Sequence, residues 1–259
     1  MKHDKFRDAT MSAFDRVGDR LEGRGRTILY ALAGLIALAL LLGLWSWWSA
    51  RRAGEARAAL GRAFEVVEAP VSPTPAAGTV GLTFPSERER AQKALEEFQK
   101  VAAKYGDPYD DIARYMAATQ LLTVERARGL QELEAISKSS NKEVAARARF
   151  ALAQAREADA QYDAAAALYS ELLKENNPEI VPDTLKLRLA SVYESQGKRQ
   201  EAADILFQMV KSAREAKGKD GKPAPQSASV GQAAEKLQSL DPARYAQLPK
   251  EPTSTDLPL

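Results

Sequence analysis

AAAALYSELLKENNP, residues 164 to 178, carries a small residue, a bulky one four positions later and an apolar one three further on: Ala165, Tyr169 and Leu172. Offsets of four and three put all three on one face of an α-helix. The same triplet returns as Ala94, Phe98, Val101 in KALEEFQKVAAKYGDP, as Gly129, Leu133, Ile136 in RGLQELEAISKSSN and as Ala202, Leu206, Met209 in EAADILFQMVKS. Their starts lie 35, 36 and 37 residues apart. A helical pattern returning at that period is the signature of a repeat array, in which each unit buries its apolar face against the next.

A second series lies upstream of the last three triplets. ARYMAATQ, RFALAQAR and LRLASVYE place Met116-Ala117, Leu152-Ala153 and Leu189-Ala190 at spacings of 36 and 37. Between paired segments stand the turns DAQYD and SQGKRQ, and Gly197 in the second can take the left-handed conformation that ends a helix. Each unit therefore reads as a helical hairpin. Its small residues let two helices approach, and its bulky ones fill the groove between successive hairpins. The expected fold is all-α, a solenoid of such hairpins over residues 53 to 247.

The positions resemble the tetratricopeptide repeat, a helix-turn-helix unit near 34 residues with small residues where its two helices touch. The first-helix Trp of that family is absent here, and Pro178 and Gly197 match its closing Pro and its Gly only in part. Residues 53 to 68, AGEARAALGRAFEVVE, form the first helix of the earliest hairpin. The stretch from 69 to 85, with four prolines and two glycines, is a linker to its partner. A second loop surrounds residues 218 to 229, and SVGQAAEKLQSL after it fits a helix that caps the array. The tail from 248 to 259 reads as disordered.

Ahead of the repeats, residues 27 to 50 carry no charge. Twenty-four residues of helix reach about 36 Å, enough for a hydrocarbon core of about 30 Å. A secretory signal has a shorter apolar core and small residues before its cut, whereas here Trp48 precedes Ala50 and Arg51 follows it. The segment thus reads as an uncleaved transmembrane helix. Trp45, Trp47 and Trp48 make an interfacial belt, with Arg51 and Arg52 reaching into the headgroups of the lipid bilayer. Arginines balance on the two sides: Arg16, Arg20, Arg24 and Arg26 before, Arg51, Arg52, Arg57 and Arg62 after. Lys2, Lys5 and Arg7 tip the expectation toward a cytoplasmic tail at 1 to 26 and an exported C-terminal domain. Within that tail Phe6, Phe14, Val17 and Leu21 are spaced for an amphipathic helix lying on the membrane, with a frayed, solvated tail as the equal alternative.

Composition narrows the function. A formal net charge of +2 gives no reason to expect nucleic acid. With no cysteine and only His3 for histidine, disulfides, thiolate metal sites, Cys nucleophiles and His-based triads are excluded. Asp107, Asp110 and Asp111 cluster at a helix start, where carboxylates cap amides and favour the dipole. GRGR at 23 to 26 lacks the spacing of a phosphate loop. The expectation is a non-enzyme without cofactor, metal or small-molecule substrate.

Tail, anchor, hairpins and cap together resemble the YfgM-type family of bacterial inner-membrane proteins over about residues 25 to 245. That resemblance implies an N-terminal uncleaved anchor, a periplasmic repeat domain, and a role as an ancillary subunit of the Sec translocon that associates with periplasmic chaperones. Transferring the tetratricopeptide geometry by register lines a peptide-binding groove with Asp111, Arg114, Arg147, Phe150, Gln154, Glu157, Leu187, Ser191 and Glu194. Phe150 is the expected aromatic anchor for a bound protein or peptide, with packing between helices as its alternative. A scaffold or chaperone-like function at the inner membrane follows; the alternative is a structural accessory subunit of a large membrane protein complex.

Overall fold

The computed structural model describes residues 25–73, 81–175, 179–218 and 222–251. Among the described residues every regular element is helical; the two isolated β-bridges pair single residues and form no strand. The tail before Gly25, its four spaced apolar residues and His3, the middle of the proline-rich linker, Pro178 and the end of the C-terminal tail lie outside the described residues.

The chain divides into two compact units, one ending at Arg57 and one running from Ala58 to Leu259. In the first lies most of α1, Gly25–Glu68, a single helix with no break after the apolar run. That run is long and apolar enough to cross a membrane, and Tyr30, Leu35, Leu41 and Trp45 are among its many exposed side chains.

The second unit begins with the last turns of α1, where Leu60, Ala63 and Val66 are buried and Phe64 meets Phe98 edge-on, centroids 5.3 Å apart. Then come α2 (Glu87–Lys104), α3 (Tyr109–Val124), α4 (Arg126–Ile136), α5 (Lys142–Ala158), α6 (Tyr162–Glu175), α7 (Pro182–Ser195), α8 (Arg199–Glu215), α9 (Ala228–Leu240) and the short α10 (Pro242–Tyr245). From α2 onward each helix packs on the next, and α3 also reaches α5 while α7 reaches α9.

The starts of these helices follow from local sequence. Ser86 caps α2: its oxygen accepts from the Glu89 amide at 3.2 Å, and its hydroxyl donates to the Glu89 carboxylate at 3.3 Å. Asn141 caps α5 and Ser227 caps α9 by accepting the amides of Val144 and Val230. The aspartates before α3 behave otherwise. Asp110 and Asp111 fall inside its first turn, favourable for the dipole, but Pro108 occupies the cap position and no side chain caps it.

Burial follows the triplets. Ala94, Phe98, Ala165, Tyr169, Ala202 and Leu206 are fully inaccessible, Val101, Leu172 and Met209 nearly so, and only Ile136 is half-exposed. Ala153 and Ala190 of the second series are fully buried too. The apolar clusters overlap along the chain: one joins α3 to α6, the next α5 to α7, the last α7 to α9.

Two turns are built alike. After α5, Ala160 has φ +57, and the Gln161 amide donates back to Arg156 at 2.8 Å; after α7, Gly197 has φ +77, and the Lys198 amide donates to Tyr193 at 2.9 Å. Both are left-handed helix ends closed by a six-to-one hydrogen bond. Sequence reasoning identified Gly197 and missed that Ala160 takes the same backbone without a glycine.

The irregular segments are tied at their ends. In the linker Ser72 donates to the Phe84 carbonyl at 2.9 Å, Phe84 to Pro70 at 3.1 Å, and Arg90 holds the Ala69 carbonyl at 3.2 Å. In the later loop Gly218 donates to Lys222 at 2.7 Å and Ala224 to Ala216 at 2.9 Å.

Candidate binding surface

The register that selects groove residues aligns Arg114, Phe150 and Leu187, then Ala118, Gln154 and Ser191, then Leu121, Glu157 and Glu194, on α3, α5 and α7. On α3 the last two positions are buried alanine and leucine. On α5 and α7 all six are half-buried, while Arg114 and Arg147 are exposed.

Polar members of this set join one helix of the series to the next. Asp111 accepts from the Asn141 side chain at 3.0 Å, tying the start of α3 to the cap of α5. Arg147 donates at 2.8 Å both to Glu143 on its own helix and to Glu179 ahead of α7. Glu157 accepts the Tyr169 hydroxyl at 2.8 Å and lies 3.7 Å from the Arg188 guanidinium of α7. Glu194 pairs with Lys236 of α9, and Ser227 at the start of α9 donates to Asp183 at 3.1 Å. Each exposed pair contributes under about 1 kcal/mol. As a series they fix how the alternate helices line up.

Apolar members turn inward. Phe150 meets Tyr169 edge-on, centroids 6.0 Å apart at 60°, and packs against the α5–α7 cluster. Leu187 packs against the α7–α9 cluster. The Ser191 carbonyl accepts the Ser195 hydroxyl at 3.1 Å, and Gln154 is half-buried.

Arg114 alone of the nine borders a cleft, of about 310 Å³, between α2, α3 and α4. Ala117, Ala118 and Leu121 line it from α3, Gln99, Ala102 and Ala103 from α2, Arg128 and Glu132 from α4. Its volume is at the low end for a ligand pocket of roughly 300 to 1,000 Å³. Both guanidiniums have local partners, Arg114 with Asp110 on its own helix and Arg128 with Glu125 at the break before α4, each at 3.7 Å. Register transfer missed the α2 and α4 residues because it assigned the groove to alternate helices only; the adjacent alanine pairs 102–103 and 117–118 are the signal that marks the gap.

Burial, then the bond to Glu157, pushes the Tyr169 hydroxyl far above the usual phenol range. Burial raises Tyr115, and the hydrogen bond that Arg147 donates to Glu179 raises Arg147. Among the described residues no group of three or more His, Cys, Asp or Glu is placed to hold a metal.

On α1 the belt has its own geometry. The Arg51 guanidinium lies 5.9 Å from the Trp47 ring centroid and Arg52 lies 5.0 Å from Trp48, each stacked over the ring one turn back. Trp45, Trp47 and Trp48 all stay more than half exposed. Aromatic rings beside cations at the end of an apolar run suit the depth where hydrocarbon meets headgroups.

Comparison with protein-family models, with curated proteins and with solved structures found no match to this chain.

Proposed function

We propose that the protein is a membrane-anchored scaffold: α1 crosses the inner membrane, the N-terminus is cytoplasmic, and helices α2 to α9 form a tetratricopeptide-like solenoid in the periplasm that binds exported or envelope proteins. The partners that fit the resemblance are the Sec translocon and periplasmic chaperones. The single observation that carries this reading is the cross-linked series α3–α5–α7–α9. The small and the bulky position of the triplet are buried at each return, and polar contacts repeat between alternate helices, which supports stacked hairpins. Such a stack presents side chains of alternate helices along one continuous face, the kind of surface that receives extended or helical segments. Tethering to a membrane raises the effective concentration of the face near membrane partners, so weak contacts suffice.

The direct test places a photo-crosslinking amino acid at Arg114 or Arg147, the two exposed members of the face, and at Lys138 on the surface of the unit as control. Adducts to translocon or chaperone subunits from 114 and 147 but not from 138 are expected. Equal adducts from all three sites, or one stoichiometric partner captured in a single large particle, would replace this reading with that of a structural accessory subunit.

A further inference from the structure

After α9 the chain turns back along α8. Asp241 caps α10 by accepting the Arg244 amide at 3.0 Å, and Tyr245 and Leu248 pack against the cluster formed by Leu206, Met209, Val210, Val230 and Leu237. Arg244 stacks over Phe207 at 5.3 Å and pairs with Asp204. At the far end stands Arg214, whose side chain is only 6% exposed. It donates to the Pro249 carbonyl at 2.7 Å, lies 5.7 Å from the Tyr245 ring, and reaches Glu251 at 3.5 Å.

This buried cation is under-partnered. Its Nε is inaccessible to solvent and has no hydrogen-bond partner, while the Glu251 side chain is 71% exposed. A buried guanidinium is offset only by well-formed charged hydrogen bonds. The guanidinium therefore keeps one buried donor, Nε, that the largely exposed Glu251 carboxylate does not reach. The segment itself is held to α8 by side chains and single carbonyl contacts, with no ladder of backbone bonds to it, which places it at the low-stability end of the unit.

We propose that residues 245–251 stand in for a partner. The α8–α9 face, with Arg214 at its end, binds a peptide segment bearing an aromatic, an aliphatic and a carboxylate residue at three-residue intervals, and the chain's own Tyr245, Leu248 and Glu251 occupy it until such a segment displaces them. The inference rests on the reading of the chain as a protein-binding scaffold, but the site is tested without any cellular partner, so its failure leaves the crosslinking test on α3 and α5 standing.

The probe is a fluorescent peptide with the sequence of residues 241–251, added to the full-length protein in nanodiscs. It binds the double variant Leu248→Asp with Glu251→Ala at least about tenfold more tightly than the unmodified protein, because the internal competitor is weakened. Adding Arg214→Met to that variant abolishes the gain. Binding to neither protein, or equal binding to all three, overturns the proposal. Hydrogen exchange on the unmodified protein covers the case of a misfolded variant. Amides of 246–251 exchange at least about a hundredfold faster than those of 206–210 if the segment opens on its own. Equal protection means that it opens only with α8, and the proposal fails.

Discussion

The pairs α3–α4 and α7–α8 occupy the same place in the period but are joined differently. Between α7 and α8 the chain makes a left-handed turn at Gly197; between α3 and α4 it breaks at Glu125 alone, with φ −148 and ψ 78. The shorter connection draws α4 onto α3. A Cβ on Gly129 would lie 2.7 Å from the Leu122 nitrogen and 2.8 Å from the Leu121 carbonyl carbon, whereas the matching positions 165 and 202 accommodate alanine, fully buried. One period therefore tolerates two connections, and the small residue at the helix crossing absorbs the difference.

The largest effect that would break this comparison lies at its closest contact. Gly129→Ala forces its methyl into backbone that cannot rotate away and should cost about 2–3 kcal/mol in thermal or denaturant unfolding. The opposite change at the matching position, Ala165→Gly, should cost about 1 kcal/mol, chiefly through helix propensity. Equal losses would mean that the two crossings are equally tight.

Next comes Tyr169→Phe, which keeps the ring against Phe150 but deletes the hydroxyl donated to Glu157. A loss of about 1.5 kcal/mol is expected, as for a hydrogen bond to a charged acceptor. Its pH signature is distinctive. The folded tyrosine ionises well above the unfolded one, so its contribution is fully present below about pH 10 and drains away above it, at up to about 1.4 kcal/mol per pH unit. The variant should lack that alkaline decline, read from unfolding midpoints between pH 9 and 11.

The paired turns give a smaller effect of opposite signs. Gly197→Ala should destabilise by about 1 kcal/mol, and Ala160→Gly should stabilise by roughly 0.5 kcal/mol, because a Cβ is costly at positive φ. Smallest of all is Arg147→Gln. Its two carboxylate partners are exposed, and a change under about 0.5 kcal/mol is expected in the same unfolding assay.

Much of the helical layout is legible in the triplets, because burying a stack forces the same face inward at each return and leaves the pattern in the residues. Ala160 shows where legibility ends: its backbone is imposed by the packing of α5 and α6, against the preference of its own side chain. Gly129 reads as one small residue among several, and its tightness follows from the length of the preceding break. Register alone put Phe150 and Leu187 on the candidate surface, yet both pack into the clusters beneath it; an apolar residue at a groove position has the same spacing as one at a packing position. The stretch from Leu248 to Glu251 reads as tail from its proline and polar residues, and what holds it is Arg214, 35 residues upstream of Pro249.

The claim on which the functional reading depends most is sidedness. With no native cysteine, Ser140→Cys on the exposed surface of the second unit and Ser12→Cys in the N-terminal tail can be labelled in intact cells with an impermeant maleimide. Labelling at 140 and not at 12 is the predicted result for a periplasmic scaffold. Labelling at 12 alone would place the helical unit in the cytoplasm and contradict it.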